Sequence, residues 1–536
     1  MTRRALAPLL LVVATLGAPH LAFEMWVSAQ PPAASSAPTI RVYSRETIVD
    51  VTVTDDQGNP IHGLTRSDFT VTEDGNPQPI RSFQESGAGP GTTPRTLPKL
   101  PPNIFTNLQP GSGPLNVFLL DDVNGGDGAR AREAVASFIH HMAPGTRVAL
   151  LAMGFRFTVL QGPTTDPVQI LNVVRRLVEP LSVPPGADAE VIVDKATLDQ
   201  LNQLATYLSG IEGRKNVIWI GYGNSDLVTH GTQDWRLQVQ QIYDLLANAQ
   251  ITLYPLDPNG VTSLKITHLA MEAVAEATGG VAYFERNDLD ALMARAAESG
   301  ASYYTLSYST PSLAYDGRYH AIGIQLDRPG LHLIYRKGYS AEDPRRIGRS
   351  LESALGFAAR DTRAPASAPD PLAVAMALVL PPADLLLFDV RMEVSTTPPS
   401  PADPPVLGTL NPKLGKQPLT RYSFLFAVPS SQIAFAPAAG GNFSGSLEFD
   451  LAAYDSEERL VTMRSQTMKL PLTAGEYKQF IATPFQFLQE IDLPPGLITL
   501  RAGVLDTVSQ KLGTVDIPIT VGRRTLLPVP RNPAPR

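Results

Sequence analysis

The sequence predicts an α/β protein built on a doubly wound, mostly parallel sheet, with a small N-terminal β module before it and a C-terminal antiparallel sandwich of immunoglobulin-like or fibronectin-like character after it. Three observations carry that expectation. Leu115-Asn116-Val117-Phe118-Leu119-Leu120 is a nearly continuous apolar run, the composition of a strand covered by helices on both faces. Across residues 114–340 such runs alternate with helix-period segments, and no hairpin signal falls between them. On either side of that region the apolar period drops to two, as in half-buried antiparallel strands.

In chain order, residues 1–29 carry Arg3 and Arg4, an apolar run over residues 5–16, and Val27-Ser28-Ala29 with small residues at the cleavage-determining positions. This order reads as a secretory signal peptide, and the run is shorter than the ~20 residues that a membrane span needs. Residues 38–86 form the β module. Val49, Val51 and Val53 alternate with polar residues, and Asp74-Gly75 is a hairpin signal after Phe69-Thr70-Val71-Thr72. Residues 87–113 are rich in Gly, Pro and Thr and read as a linker.

Within 114–340, strands are expected at 115–120, 148–153, 216–221, 251–256 and 303–309. Helices are expected at 129–141, 166–178, 197–208, 235–249, 270–278 and 289–299, with Gly279-Gly280 as a helix stop. Two β-like stretches, 321–326 and 331–335, flank the turn Asp327-Arg328-Pro329-Gly330. Residues 341–371 hold one candidate helix, 344–357, and an Ala/Pro linker. In residues 372–522, Leu447, Phe449, Leu451 and Ala453 alternate with polar or small residues, as do Ile498, Leu500, Ala502 and Val504, and Ile517, Ile519 and Val521. The Pro- and Arg-rich tail, residues 523–536, reads as disordered.

Composition removes several function classes. The chain has 536 residues, enough for two or three domains, and 43% hydrophobic against 18% charged residues is the balance of a folded protein. A net charge of -7 provides no basic footprint for nucleic acid. With no Cys, there are no disulfides, thiolate metal sites or thiol nucleophiles. No later segment reaches ~18 consecutive apolar residues, so no transmembrane helix is expected in the mature chain. No Gly-x-Ser-x-Gly elbow, His-Glu-x-x-His pair or phosphate-binding loop occurs. His140-His141 closes a helix, His320 and His332 sit beside β segments, and Trp219 and Trp235 read as packing residues.

Taken in order, several phrases resemble the von Willebrand factor A-related domain family of acidobacterial type. They are residues 48–83 with their closing Glu73-Asp74-Gly75, the run Gly213-Arg214-Lys215-Asn216-Val217-Ile218-Trp219-Ile220, Thr278-Gly279-Gly280, Tyr303-Tyr304-Thr305-Leu306, and Arg336-Lys337-Gly338-Tyr339. The resemblance covers roughly residues 40–340. It implies a Rossmann-like von Willebrand factor A fold and an exported protein, and brings no assigned activity with it.

The resemblance also directs attention to the fold's metal-ion-dependent adhesion site, which begins with Asp-x-Ser-x-Ser at the carboxyl end of the first central strand and offers oxygen ligands to a hard cation. Here that stretch is Asp121-Asp122-Val123-Asn124-Gly125, so Val123 and Gly125 stand where hydroxyls belong. The distal Thr-Asp-Gly is replaced by Gly221-Tyr222-Gly223, and Thr197 matches the loop Thr only in a stretched alignment. The site reads as degenerate, and no cofactor is expected. An altered Mg²⁺ or Ca²⁺ site would draw on Asp121, Asp122, Asn124 and Asp226. The ordinary alternative is a solvated acidic turn.

These features favour a protein-binding, adhesion or scaffolding module that presents the carboxyl edge of its sheet to a protein ligand. One alternative is a structural part of an envelope assembly docking through the C-terminal sandwich. The other is a hydrolase using Asp121 and Asp122 as general acid and base, which adjacent side chains on a strand disfavour because they diverge.

Overall fold

The alternating valines occupy the buried face of the first strand. In the computed structural model, β1 (Glu46–Thr54) buries Val49, Val51 and Val53 and turns Ile48 and Asp50 outward. The structure describes residues 46–87, 99–121, 128–154, 156–177, 189–221, 233–260, 265–310, 316–341, 370–395 and 419–522. The candidate helix at 344–357, the signal segment and the C-terminal tail lie outside them. The strands β2 (Phe69–Glu73) and β3 (Asn76–Gln78) form a hairpin in which Asp74 (φ 50°) and Gly75 (φ 80°) are both left-handed, the geometry that favours Asp-Gly. The strand β4 (Ile80–Ser86) follows.

After β5 (Ile104–Thr106), the apolar run becomes β6 (Ser112–Asp121), followed by α1 (Gly128–His141), β7 (Thr146–Met153), β8 (Thr158–Thr164) and α2 (Pro167–Arg176). Asp166 caps α2 by accepting from Val168 N, with Pro167 at the first position. Then come α3 (Ala189–Ser209), β9 (Lys215–Ile220), α4 (Gln233–Asn248), β10 (Ile251–Leu256), α5 (Lys265–Thr278) and α6 (Leu289–Ala301). The sheet order is β10-β9-β6-β7-β8, parallel except for the antiparallel edge strand β8. Leu115, Val117 and Leu119 pack with residues of α3, α4 and α5, while Phe118 packs with residues of α1, α2 and α6. Both faces are therefore covered, which is why the central strands read as continuous apolar runs.

The strand expected at 303–309 exists, but in another sheet. β11 (Tyr303–Ser309) lies antiparallel between β1 and β4. The stretches around Asp327-Arg328-Pro329-Gly330 then separate: β12 (Tyr319–Leu326) pairs with β2 and with β14 (Gly338–Ser340), whereas β13 (His332–Ile334) pairs with β1. The resulting sheets, β13-β1-β11-β4 and β14-β12-β2-β3, share one core of Val49, Val51, Phe69, Val71, Tyr304, Leu306, Ile322 and Ile324. Local patterning shows that 303–309 is a strand and says nothing of its partner, so the segment was counted with the parallel sheet. The pairing also crosses the boundaries expected at 86 and 340.

The C-terminal region contains α7 (Pro371–Ala375), β15 (Asp389–Val394), β16 (Thr420–Val428), β17 (Ala436–Ala438), β18 (Asn442–Tyr454), β19 (Leu460–Leu472), α8 (Ala474–Phe480), β20 (Phe485–Leu493), β21 (Gly496–Asp506) and β22 (Leu512–Val521). Its strands form two antiparallel sheets, β20-β16-β15-β5 and β17-β18-β21-β22 with β19 on β18, around a common core that includes Phe424, Phe426, Phe449, Leu451, Leu500 and Ile517. The edge strand β5 comes from the expected linker, 87–113. Asn107 anchors it: buried, it donates through Nδ2 to Ala383 O (2.9 Å) and Leu386 O (2.8 Å) and accepts from Phe388 N (2.9 Å).

The three regions meet at two buried cations. Arg214 donates to Thr52 Oγ1 of β1 (3.2 Å) and Tyr254 Oη of β10 (2.7 Å), and its guanidinium stands 5.1 Å from the Tyr303 ring centroid. Lys215, 1% exposed, gives Nζ–H to Ile211 O (2.6 Å). On the far side, Asp384 accepts from Glu212 N (2.6 Å), donates its own N–H to Gly210 O and lies 3.8 Å from Arg147. The chains approach so closely there that a Cβ on Gly210 would stand 2.9 Å from Ala383 Cβ. Burial pushes the Lys215 amine down to about 7, with Asp384 and Asp50 pulling it partly back up.

Two outcomes follow from these contacts. Asn107→Ala leaves the buried Leu386 O and Phe388 N without this partner, and Ala383 O with Thr514 N alone, and lowers unfolding free energy by about 3 kcal/mol in urea titration. Lys215 binds its proton up to ~10.4 when unfolded but releases it near 7 when folded. The unfolded chain thus holds more protons between those values, and stability rises with pH over roughly 7.5–9.5, below the onset of tyrosine ionisation. Lys215→Met should flatten that rise, and an unaltered slope would assign it to other groups.

Candidate functional site

In a doubly wound sheet, ligands bind beyond the carboxyl ends of the strands where the winding reverses, here between β6 and β9. β6 ends at Asp121, the expected head of a cation site, and β9 runs into Gly221. Asp121 is 4% exposed, and its Oδ2 accepts from the indole Nε1 of the fully buried Trp219 at 2.8 Å. Gly221 closes over it: a Cβ there would lie 2.6 Å from Asp121 Cβ, and Gly221 N donates to Leu256 O. The carboxylate at the crevice is thus tied into the sheet, and only glycine fits beside it. Trp219, expected as a packing residue, also orients this acid.

Of the other expected ligands, Asp122, Asn124 and Asp226 lie outside the described residues. Thr197 does not stand in a loop: it is fully buried within α3, which begins eight residues earlier than the expected 197–208 helix. Among the described residues, no group of three or more His, Asp or Glu side chains is arranged to hold a metal ion, and no helix is long and apolar enough to cross a membrane.

One strand further along the same edge stands a cluster that the sequence reading passed over. Asp257 directly follows β10; its N–H donates to Tyr283 O, and its Oδ1 accepts from Asn259 N at 2.8 Å. Its Oδ2 lies 3.4 Å from His268 Nε2 of α5, and the other ring nitrogen lies 3.7 Å from Glu285 Oε1. His268 is buried and stacks on Phe284 with centroids 4.2 Å apart. Glu285 holds the left-handed conformation (φ 58°), uncommon for a residue with a long side chain. Arg130 of α1 brackets this rim by donating to Pro258 O (2.8 Å) and Asn287 O. A carboxylate thus stands at ion-pair distance from each ring nitrogen of His268. A histidine amid the apolar positions of an amphipathic helix was the available sequence signal.

Of the histidines read from the sequence as structural, three have partners of that kind. His141 Nδ1 meets Ser137 O at the end of α1, His320 meets Asp74 Oδ2 at 2.8 Å, and His332 meets Asp56 Oδ1 at 2.8 Å.

Fold and rim together define an α/β protein whose parallel sheet presents an edge with its central acid turned inward. No protein-family model and no curated protein matches the chain. It is similar to several solved structures at low identity. An aerotolerance-related membrane protein from Bacteroides fragilis is 10% identical over 35% of this chain and 98% of that one, with a TM-score of 0.27. The von Willebrand factor domain of the type V pili tip protein Mfa5 from Porphyromonas gingivalis is 10% identical over 35% and 95%, with a TM-score of 0.26. A von Willebrand factor type A protein from Catenulispora acidiphila is 13% identical over 52% and 79%, with a TM-score of 0.25. The fold description rests on the strand order and pairing.

Trp219→Phe tests the inward locking of Asp121, since it removes the donor together with the five-membered ring of the fully buried indole. The expected loss exceeds the about 1.5–3 kcal/mol of a hydrogen bond to a charged group, because a cavity is left as well, read by denaturant unfolding. A loss within error would show that the indole bond does not hold the acid.

Proposed function

We propose that this chain is an exported, non-enzymatic protein-binding module of the von Willebrand factor A kind, whose ligand seats on the carboxyl edge of the parallel sheet. The observation that carries this reading is the state of Asp121. The acid that would head a cation site is bound to Trp219 and shut in by Gly221, and Val123 and Gly125 bring no hydroxyl ligand. An edge so built favours recognition through its loops and surface side chains over an ion bridged to a partner's carboxylate. The same locking removes Asp121 from acid-base chemistry. The flanking β regions, joined to the sheet through Arg214 and Asp384, suit a rigid mount for that edge.

The test is capture of envelope proteins by the purified full chain, with rim variants and with or without millimolar Mg²⁺ or Ca²⁺. Arg286→Glu, at an exposed position between Glu285 and Asn287, combined with Asp122→Ala, is expected to weaken capture about tenfold, as for charges at a binding surface, while either ion leaves both capture and melting temperature unchanged. Capture that survives the rim substitutions but fails when the exposed C-terminal residue Leu488 is changed to Lys would move the docking surface to the C-terminal sheets. A melting shift with Mg²⁺ or Ca²⁺ that disappears in Asp122→Ala or Asp226→Ala would instead establish the altered site of Asp121, Asp122, Asn124 and Asp226.

A further inference from the structure

The C-terminal sheet buries an acid on its outer face with no cation to answer it. Side chains alternate along β18, so Leu447, Phe449 and Leu451 enter the core between the sheets while Glu448, Asp450, Ala452 and Tyr454 face outward. The short helix α7 and the turn after it cover that outward face. Leu372 and Met376 pack with Ala452, Tyr454, Leu505 and Leu512. A Cβ on Gly503, directly opposite Asp450 on β21, would stand 2.9 Å from Leu372 Cδ1 and 2.7 Å from Met376 Sδ. Under this cover Asp450 is fully buried, and neither of its carboxyl oxygens has a hydrogen-bond partner.

The groups packed around Asp450 deepen its isolation. Glu448 stands on the same strand, and Ser465, opposite on β19, gives its hydroxyl to Glu448 Oε1 at 3.0 Å. The Asp370 carboxyl, at the start of α7, lies beside Glu448. On β21 the outward-facing Arg501 is spent on Asp516 of β22, which accepts from its Nε (2.6 Å) and Nη2 (2.8 Å). Among the described residues, the charges acting on Asp450 are therefore those of Glu448 and Asp370, both of its own sign. A carboxylate sealed from water in such company takes up a proton. Burial pushes the Asp450 carboxyl up to about 7; Ser465 pulls it partly back, and the two neighbouring acids add to the rise. Glu448 moves the same way, through its own burial and then the nearness of Asp370.

The covering helix is fastened to the sheet at its far end. Arg501 Nη1 donates to Ala375 O (3.1 Å) and Ala377 O (2.5 Å), and Tyr454 Oη donates to Met376 O (2.6 Å). At the near end, Asp370 caps its own helix by accepting from Leu372 N at 3.0 Å and meets the sheet at the Glu448 carboxyl. We propose that α7 is a pH-gated flap, hinged at residues 375–377, which seats over Asp450 while that acid is protonated and lifts at its Asp370 end when the acid ionises. Lifting lets water reach Asp450, separates three carboxylates and uncovers the apolar seat of Leu505 and Leu512. An aspartate in water titrates near ~3.9, so the seated form holds the extra proton, and seating weakens as pH rises from about 4 to about 7 and levels off above.

Hydrogen exchange of the full chain, read by mass spectrometry at pH 5 and pH 8 with each rate divided by the intrinsic rate at that pH, tests the flap. Peptides holding the α7 amides of Val374 and Met376, which bond to Asp370 O and Leu372 O, are expected to lose protection about 10- to 100-fold between the two pH values. Peptides from β16 and β18 should keep theirs. Asp450→Asn preserves the shape without the charge and should hold α7 protection constant. Glu448→Gln, at a partly exposed position, removes one of the two repelling acids and should shrink the loss. The flap is overturned if α7 protection in the parent does not change with pH, or if Asp450→Asn loses it as the parent does. Loss of protection in β16 and β18 together with α7 would overturn it as well, since the acid would then set the stability of the whole sandwich. Should Asp450→Asn not fold, Glu448→Gln decides: a loss as large as the parent's would sink the proposal.

Discussion

The joining of the three regions is hung on two basic side chains that water does not reach, Arg214 and Lys215. Desolvating a guanidinium or an ammonium costs several kcal/mol, and the cost is met only where acceptors are already in place. Arg214 finds them on both sides of a boundary, Thr52 in the N-terminal sheets and Tyr254 in the parallel sheet, with the face of Tyr303 beneath it. Lys215, next in sequence, finds the end of α3 through Ile211 O and feels the negative charge of Asp384 from the C-terminal region. Adjacent residues on a strand point to opposite faces, so one dipeptide serves two boundaries. If the regions separated, each cation would lose partners without regaining full hydration.

The rigidity at that end of the sheet has a counterpart at the other. At the amino end, Arg214 and Lys215 are held by hydroxyls and carbonyls of several elements. At the carboxyl end, Asp121 is drawn inward by an indole, and Gly221 removes the space that another ligand would need. Among the described residues, the carboxylate at the point where the winding reverses is already engaged, and unsatisfied polar atoms of the same edge gather one strand away, around Asp257 and His268. Ligand preference along an α/β edge is set by which strand end keeps unspent donors and acceptors, and topology alone does not decide it.

Most of the secondary structure was legible because burial on two faces leaves a strong signature. Phe118 and Leu119 face opposite helical layers, so both must be apolar, and the run of strand residues announces itself. The hairpin at Asp74-Gly75 was equally plain, since few other residues accept two consecutive positive φ angles. Pairing partners were not legible. Tyr303–Ser309 carries no mark distinguishing a neighbour near in sequence from one at the start of the chain, and the three residues of β5 are too few to show a period. At the candidate site, Asp121 was found through family resemblance, and its inward bond to Trp219 was not foreseen. Arg214 and Lys215 were read only as part of a family phrase, and His268 was not singled out, because a charged or ionisable residue next to an apolar run looks the same whether it is solvated or buried.

The pairing of β1 with β11 also governs how the molecule is made. Thr47 and Thr310, whose hydroxyls meet at 2.8 Å, are 263 positions apart. At translation speeds of ~5–20 residues per second, the first valine strand emerges tens of seconds before the strand that will cover its open hydrogen-bonding edge. During that interval the intervening α/β segment can complete its own locally wound layers, while β1, β2 and β4 remain adhesive ribbons. Nascent chains of this protein should therefore depend on holding factors until residue 310 has appeared, and truncation between the end of α6 and that strand should yield aggregates despite an intact central domain.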